Sequence, residues 1–277
     1  MRETSFQGGP MSVVRRPTPF VMVASGHGTL IVNRNDYHAV SGGSYGVGAE
    51  ILSASYYSPE EIDIQLKLLQ MRREFFGDGV IAVDCGANIG VITVEWAKLM
   101  YGWGKVIAFE AQERIFYALA GNISINNCLN ASAHHAAVGA HTGELKIPEP
   151  DYCRPCSFGS LQLRENGNNG FIGQTIDYSE ENLVTVPMVT IDSMNLSRLD
   201  LLKIDVEGME LEVLEGAMES IKKYKPQLVI ETINVGVEKI TNILYGLGYT
   251  AYEMGIDVVA VHNTDPSLTR LPGQVKA

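Results

Sequence analysis

The alternation of short apolar runs and helical patterns from Val80 onward constrains the fold more than any other feature of the sequence. The first run, VIAVD, ends at Asp84 and leads into the helical pattern of VITVEWAKLMYG. Further apolar runs are KVIAFE, LDLLKID and PQLVIET, and helical patterns follow each of them. Buried apolar strands that alternate with helices form a parallel sheet with both faces covered. The sequence therefore predicts an α/β fold with a doubly wound sheet.

Two stretches depart from this alternation. FVMVASGHGTLIV predicts a β-hairpin around a glycine turn, and residues 33–57 predict irregular structure or short helical turns. Residues 139–190 are rich in Gly, Pro, Asn and Ser, and GELKIPEP, GSLQLRE and LVTVPMVTI predict an inserted β-hairpin or meander. We expect an N-terminal extension (1–57), a main domain (58–265) with an insert (141–189), and a C-terminal tail (266–277).

The boundaries of two helices can also be predicted. Ser58-Pro59-Glu60-Glu61 has the pattern of a capping box with proline at the first helical position, and Gly77 predicts the end of that helix. MELEVLEGAMESIKKY predicts a single strong helix. After a further helical pattern, YTAYEM and DVVAVH predict a final pair of strands joined through Gly255.

The turn after the first strand suits a small polar ligand. Gly86 and Gly90 follow Asp84, which places backbone N–H groups and a carboxylate at the sheet edge where doubly wound folds bind ligands. The dinucleotide fingerprint G-x-G-x-x-G is not met, because Asn88 occupies its middle position. Asn still tolerates the left-handed conformation that the turn needs. Asp84 facing an ammonium group would suit the amino-acid end of S-adenosylmethionine.

A second acid at the next strand end supports a nucleoside ligand. Glu110 ends the run KVIAFE, at the place where an acid in such folds accepts hydrogen bonds from ribose hydroxyls. Ala136, Ala137 and Val138 close the third predicted strand, where small apolar side chains could admit an adenine ring. Tyr56 and Tyr57 could line a sugar-sized pocket, but ordinary packing is the favoured interpretation for each.

Several of these segments resemble the FkbM-type methyltransferases. VDCGANIG, VIAFEAQERIFYALAGNISINN, AAVGAHTGEL and VTIDSM are similar to that family, and LDLLKIDVEGMELEVLEGA is the most specific part. The resemblance covers about residues 55–262. It implies a class I S-adenosylmethionine-dependent, Rossmann-like fold, whose seven-stranded sheet has an antiparallel last strand. It also implies O-methylation of a hydroxyl, often on a sugar, glycan or secondary metabolite.

The resemblance also implies which residues bind the cofactor. It implies that the cofactor positions include Asp84, Gly86, Asn88, Gly90 and Glu110, and we also expect Ala87, Ala137, Val138 and Asp205 to contact the cofactor. The family usually has proline after the second acid, where this chain has Ala111. That departure loosens the turn without removing the carboxylate.

Three acids are candidates for the chemistry. Asp205 and Glu231 end the fourth and fifth strands of the sheet, and Glu207 follows Asp205, although Glu207 could equally be an acid at a helix N-terminus. An acceptor alcohol must lose its proton, which a carboxylate or a bound metal can promote. The sequence offers no obvious third ligand for a divalent cation such as Mg²⁺. We therefore expect a general base without metal, with the cation as the alternative.

Composition restricts the partners. The formal net charge of -11 argues against nucleic acid, because proteins that bind it usually need a basic face. The sequence has no signal-peptide pattern or membrane span, and Met11 could be an alternative start that leaves residues 1–10 as a leader. Cys153 and Cys156 lack a second pair of metal ligands at zinc-site spacing, so a loop with reduced cysteines in a cytoplasmic protein is expected.

Two other functions remain open at this point. One is methylation of a protein or nucleic acid, although the Asn-Pro-Pro-Tyr type of motif used for exocyclic amines is missing where IDVEG stands. The other is a non-catalytic module that only binds S-adenosylmethionine. The acids at four strand ends disfavour it, and a methyl-transfer assay with labelled cofactor would separate the three hypotheses.

Overall fold

The computed structural model describes residues 16–167 and 169–271, which form fourteen strands and seven α-helices. The strands are β1 (Phe20–Ser25), β2 (Gly28–Asn33), β3 (His38–Val40), β4 (Gly43–Tyr45), β5 (Val80–Cys85), β6 (Gly104–Glu110), β7 (Ala131–His135), β8 (Ala137–Val138), β9 (Gly143–Pro148), β10 (Leu183–Val189), β11 (Leu201–Ile204), β12 (Gln227–Glu231), β13 (Tyr249–Met254) and β14 (Asp257–His262). The helices are α1 (Val47–Ala54), α2 (Pro59–Phe76), α3 (Val91–Leu99), α4 (Glu113–Ile125), α5 (Glu210–Gly216), α6 (Met218–Tyr224) and α7 (Val237–Gly246).

The central sheet has seven strands in the order β13-β14-β12-β11-β5-β6-β7. Strands β5, β6, β7, β11 and β12 are parallel, and β14, the last strand, runs antiparallel to both of its neighbours. The predicted doubly wound sheet with an antiparallel last strand is therefore confirmed, and the topology is that of a class I, Rossmann-like fold.

Hydrophobic cores cover both faces of this sheet. Successive residues of a strand point to opposite faces, so Ala82 packs into one core while Val83 packs into the other. The first core joins the sheet to α2, α3, α4 and the N-terminal hairpin. The second joins it to α5, α6 and α7. This two-sided burial explains why the strands appear in the sequence as continuous apolar runs.

The N-terminal region contains more regular structure than expected. The predicted hairpin is confirmed as β1 and β2, and Asn122 on α4 holds it by accepting the Ile31 N–H at 2.6 Å. Residues 33–57 are not irregular, however, because they form the hairpin of β3 and β4 and then the helix α1. The carboxylate of Asp36 accepts the Gly48 N–H at 2.9 Å within the first turn of α1. This cap lies outside the usual N-cap position, which explains why no local pattern predicted the helix.

The insert forms a small three-stranded sheet in the order β8-β10-β9. GELKIPEP and LVTVPMVTI contain the predicted strands, but GSLQLRE does not form one, and residues Phe158–Ser160 are a 3-10 turn. The third strand of the central sheet ends at His135, earlier than expected, since Ala137 and Val138 leave it to pair with β10. Cys153 and Cys156 are unpaired and lie in the loop that follows β9.

Two boundary predictions are wrong in detail. The helix α2 starts at Pro59 and ends before Gly77 as expected, but the Ser58 side chain makes no capping bond and Glu61 accepts from Gln65 instead. The helix predicted over MELEVLEGAMESIKKY is interrupted at Ala217, which separates α5 from α6. The interruption is stabilised from a distance, because the Asp192 carboxylate accepts two N–H groups in the first turn of α6, at 2.7 and 3.0 Å.

A helix that crosses a lipid bilayer must be both long and apolar. Within the described residues, every helix is too short or too polar to cross one. The expected leader (1–10) lies outside the described residues, as do residues 272–277 of the expected tail. The division into extension, main domain and tail stays a prediction.

Candidate cofactor and acceptor site

The carboxyl ends of β5, β6, β11 and β12 open into one cavity. The N-terminal region contributes Tyr45, Val47 and Tyr57 to its walls, and the insert contributes residues 157, 159–161 and 163. The insert is attached here by two bonds: the Asp36 carboxylate accepts the Phe158 N–H at 3.0 Å, and Gln112 Nε2 donates to the Phe158 carbonyl at 2.8 Å. The cavity is therefore enclosed by segments that are far apart in the sequence.

The structure brings almost all of the predicted site residues to this cavity. Its lining includes Asp84, Gly86, Ala87, Asn88, Glu110, Ala137, Val138, Asp205, Glu207 and Glu231. Gly90 is the exception, since it faces α4: a Cβ at Gly90 would lie 2.4 Å from Leu119 Cδ1. Gly90 therefore serves the packing of α3 against α4, and its contact with the cofactor stays a prediction.

The turn between β5 and α3, residues 86–90, is called the glycine loop below. Its five backbone N–H groups all have acceptors within the protein, so the shape of the loop does not depend on a ligand. The bonds run from Gly86 and Ala87 to the Phe109 carbonyl (3.1 and 2.8 Å), from Asn88 to Glu110 Oε2 (2.9 Å), from Ile89 to Asn88 Oδ1 (2.7 Å) and from Gly90 to the Ala87 carbonyl (2.8 Å).

Close packing inside the protein explains the glycine at position 86. A Cβ at Gly86 would lie only 1.6 Å from the Asp205 carbonyl oxygen, and the residue has a φ of +79°. The glycine therefore permits the close approach of the β5 and β11 strand ends. Asn88 has a φ of +51°, which confirms that asparagine adopts the left-handed conformation in this turn.

Asp84 and Lys203 form the buried floor of the cavity. Asp84 is fully buried; its Oδ2 accepts from Thr93 at 2.6 Å, and its Oδ1 has no hydrogen-bond partner. Lys203 Nζ lies 3.7 Å from Asp84 Oδ1 and donates to Asp205 Oδ2 at 2.8 Å. Burial opposes the charge on Lys203, but the carboxylates of Asp205, Asp84 and Glu61 raise its pKa well above its ordinary value.

Glu110 holds the glycine loop to the residues that follow β6 through two hydrogen bonds. Its Oε2 accepts the Asn88 N–H at 2.9 Å and its Oε1 accepts the Gln112 N–H at 2.8 Å. Burial raises the pKa of Glu110 to about 7, and the two backbone donors oppose that rise. A carboxylate offers about four lone-pair positions, so Glu110 keeps acceptor capacity toward the cavity.

Asp205, Glu207 and Glu231 form what is called the carboxylate cluster below. One oxygen from each lies within 4.8 Å of the others. Burial, followed by the neighbouring carboxylates, raises the pKa of Glu207 and of Glu231 well above the ordinary range. Glu207 therefore places a third carboxylate beside Asp205 and Glu231, where the sequence offered no obvious third ligand. The general base without metal stays a prediction.

Glu207 and Glu210 have different environments although they are three residues apart. Glu210, the first residue of α5, accepts the N–H groups of Val206 and Gly208 through its Oε1 at 3.2 and 3.0 Å. Glu207 lines the cavity with a φ of +53°, and its Oε2 accepts from Asn234 at 3.1 Å. A left-handed glutamate is uncommon, and here it turns the side chain toward Glu231.

Sequence reasoning missed several residues that surround the site. Asp36 and Gln112 hold the insert, and Asn234 orients Glu207. Tyr57 lines the cavity, as was considered, whereas Tyr56 is 51% exposed and stacks edge-on against His27. The pattern SPEE marked the neighbourhood of Tyr57, but nothing in the sequence indicated that Asp36 bonds to Phe158.

Comparison with known protein families supports the resemblance noted in the sequence. The model of the methyltransferase FkbM domain matches residues 84–251. Methyltransferase 1 of Beauveria bassiana (strain ARSEF 2860) is 28% identical over 151 residues, which cover 51% of this chain and 59% of that protein. Methyltransferase sdnD of Sordaria araneosa is 28% identical over 208 residues, which cover 64% of this chain and 78% of that protein.

Among solved structures, methyltransferase FkbM from Methylobacillus flagellatus KT is similar to this chain with a TM-score of 0.48. The two are 17% identical, and the match covers 69% of this chain and 48% of that one. The match with the Beauveria protein likewise spans less than two thirds of its length.

Proposed function

The chain belongs to the FkbM methyltransferase family, and we propose that it transfers the methyl group of S-adenosylmethionine to a hydroxyl of a sugar, glycan or secondary metabolite. The observation that carries the proposal is the placement of Asp84, Glu110 and the carboxylate cluster around one cavity. When bound, the cofactor supplies a methyl group activated by a sulfonium ion. An acidic cavity suits such a ligand, because the sulfonium and ammonium groups are both positively charged.

The residues on the β5 and β6 side fit the parts of this cofactor. Asp84 Oδ1 is a buried acceptor without a donor, which an ammonium group would satisfy. Glu110 retains acceptor positions for ribose hydroxyls after binding two backbone N–H groups. Phe109, Ala137 and Val138 give the cavity an apolar wall for an adenine ring.

The residues on the β11 and β12 side fit the acceptor. Methyl transfer is an in-line displacement, so the acceptor oxygen must be held in one position. Its hydroxyl must also lose a proton, and the carboxylate cluster is the group of side chains able to promote that loss. We therefore propose that the cluster formed by Asp205, Glu207 and Glu231 promotes the loss of this proton, either as a base or through a bound cation.

The mouth of the cavity favours an acceptor with apolar surface. Tyr45, Ile233 and Ile256 line the cavity and are nevertheless 39%, 61% and 53% exposed, respectively. Exposed apolar side chains at the rim of a polar site contact the carbon skeleton of a ligand. A sugar face or the hydrocarbon part of a secondary metabolite meets this requirement. The net charge of -11 makes a nucleic-acid acceptor unfavourable.

Thermal unfolding with candidate cofactors tests the first half of the proposal. S-adenosylmethionine and its demethylated product should raise the melting temperature, because a ligand that binds only the folded state stabilises it, and NAD should not. Glu110→Ala should weaken cofactor binding by about 1–3 kcal/mol, the usual cost of lost charge-assisted hydrogen bonds. The matched variant Glu113→Ala, at an exposed acid on α4, should bind as the wild type does. Equal stabilisation by NAD would contradict the proposal.

Transfer of a labelled methyl group tests the second half. A panel of glycans and hydroxylated metabolites should contain acceptors, whereas proteins and nucleic acids should stay unlabelled. Labelling of protein or nucleic acid would favour the second function considered above. Cofactor binding without transfer to any acceptor class would favour a non-catalytic module.

A further inference from the structure

We propose that the carboxylate cluster is a binding site for one divalent cation, of the hard class represented by Mg²⁺ and Mn²⁺. The inference deepens the proposed function, on which it rests for the identity of the neighbouring ligands. Nothing in the family match or in the names of the relatives assigns a metal to this chain.

The geometry of the cluster fits a single cation. Asp205, Glu207 and Glu231 each direct one oxygen to a region in which these atoms lie within 4.8 Å of one another. Two oxygens on opposite sides of a Mg²⁺ ion, with bonds of about 2.0–2.1 Å, lie about 4.0–4.2 Å apart, and adjacent ones lie about 2.9 Å apart, so the three oxygens would move closer together on binding. One ion can therefore contact all three carboxylates with small side-chain adjustments. A donor set made only of oxygens selects hard cations.

The environment of Glu231 is a second, independent indication of a ligand. This side chain is only 8% exposed, and its Oε2 atom is buried without any hydrogen-bond partner. Buried carboxylate oxygens are normally satisfied by donors, because an unpaired buried charge is strongly unfavourable. Among residues 16–167 and 169–271, no side chain supplies the missing partner. A cation in the cluster would supply it.

The charges around the cluster also indicate that positively charged partners are lacking. Lys203 forms its close ion pair with Asp205 and lies 3.7 Å from Asp84, so its charge is shared by those two acids. Glu207 has the neutral amide of Asn234 as its hydrogen-bond partner. Among the residues that the structure describes, no lysine, arginine or histidine forms an ion pair with Glu207 or Glu231. A divalent cation would balance these two carboxylates.

A cation at this place would serve the proposed reaction. Three protein ligands leave coordination positions of an octahedral ion open to water and to the acceptor hydroxyl. Coordination lowers the pKa of a hydroxyl group, so that its proton can leave to solvent water near neutral pH. The cation would also fix the acceptor oxygen, which is what an in-line displacement requires.

Direct binding of Mn²⁺ to the full chain tests the proposal. The protein is treated with EDTA, dialysed and titrated with Mn²⁺, and the loss of the free-Mn²⁺ electron paramagnetic resonance signal is followed. We expect one ion per chain. Glu207→Gln and Glu231→Gln should each weaken binding by about 10- to 100-fold or more, since even groups that only support metal ligands have effects of that size. The matched control is Asp257→Asn, at the acid opposite Glu231 in the register of β12 and β14.

Each outcome decides for or against the cation site. Binding that weakens in both cluster variants and stays within about threefold of wild type in Asp257→Asn would support it. No binding by the wild type, or equal binding by all variants, would overturn it. Both glutamine variants should keep the fold, because they remove repulsion without changing shape, and their thermal unfolding confirms this. Affinity for S-adenosylmethionine, measured in EDTA, separates failure of this inference from failure of the proposed function.

Discussion

The glycine loop and the carboxylate cluster face the same cavity, but their polar groups are satisfied in opposite ways. All five N–H groups of the loop, residues 86–90, have acceptors within the protein, and Glu110 receives two backbone donors. In the cluster, three carboxylates approach one another, and Glu231 Oε2 is buried without a partner. The hydrogen bonds of the loop are complete without a ligand, whereas those of the cluster are not.

This difference indicates how the two sides are expected to function. A turn whose bonds are all internal keeps its shape when it is empty, so a ligand on that side meets a preformed surface. Carboxylates that repel one another gain most from a positively charged partner. We therefore expect changes in the loop to affect folding, and changes in the cluster to affect chiefly the binding of cations. Three measurements can break or sharpen this comparison.

The largest effect is expected from Gly86→Ala. The new methyl group would lie 1.6 Å from the Asp205 carbonyl oxygen, so β5 and β11 would have to separate at their ends. The residue also has a φ of +79°, which alanine adopts at a cost. The free energy of unfolding should fall by roughly 3–5 kcal/mol, as measured by chemical denaturation.

Gly102→Ala is the matched control for this substitution. Gly102 has a φ of +84°, but a Cβ there would meet nothing within 4 Å. Its replacement should therefore cost only the conformational part, about 1–2 kcal/mol. If Gly86→Ala proved no more destabilising than Gly102→Ala, the close packing between the two strand ends would not limit stability.

A pH dependence of intermediate size is expected from Glu110. Burial raises the pKa of Glu110 from 4.5 to about 7 in the folded protein. A carboxyl group with a raised folded pKa contributes stability that is present below pH 4.5 and is lost as the pH rises through 7. The free energy of unfolding of the ligand-free protein should decrease by an amount on the order of 2–3 kcal/mol between pH 5 and pH 8 because of this group.

The variant Glu110→Gln isolates this contribution. Glutamine does not titrate, so the variant should show a smaller loss of stability over that pH range, whatever its stability at pH 5. Glu113→Gln, at the exposed acid on α4, should keep the slope of the wild type. Parallel pH profiles for wild type and Glu110→Gln would mean that Glu110 is ionised throughout and that its two backbone donors outweigh burial.

The two sides of the cavity also differ in how far their structure could be predicted. The glycine loop follows from local sequence patterns, because an apolar strand precedes it and a helix follows it. Its position and the left-handed conformation of Asn88 were therefore both expected. The reason for the glycine at position 86 was not expected, because the Asp205 carbonyl, just after β11, is far away in the sequence. The same holds for the rest of the fold. The apolar runs of the sheet were identifiable, but the break at Ala217 between α5 and α6, stabilised by Asp192, was not.

The cluster was harder to predict because it depends on one unusual backbone conformation. Asp205 and Glu231 were expected to meet, since parallel strands end at a common edge. Glu207 joins them because its φ is +53°, a conformation that glutamate seldom adopts and that no propensity indicates. The enclosure of the cavity depends on contacts such as that of Asp36 with Phe158, which join distant segments without any local sequence pattern.

The smallest effect, and the one with the least usual sign, is expected from Glu207→Gln. Glu207 lies close to two other carboxylates, so its charge destabilises the metal-free protein, and the amide keeps an oxygen that can accept from Asn234. At pH 8 in EDTA the variant should be more stable than wild type by about 1 kcal/mol, the energy that corresponds to one pKa unit.

Glu215→Gln removes the same charge from an exposed position on α5 and should change stability by less than about 0.5 kcal/mol. Saturating Mn²⁺ should reverse the order, because the wild type gains a bound ion that the variant holds weakly. If Glu207→Gln were less stable than wild type in EDTA, the cluster would already be balanced without a cation, and the contrast with the glycine loop would not hold.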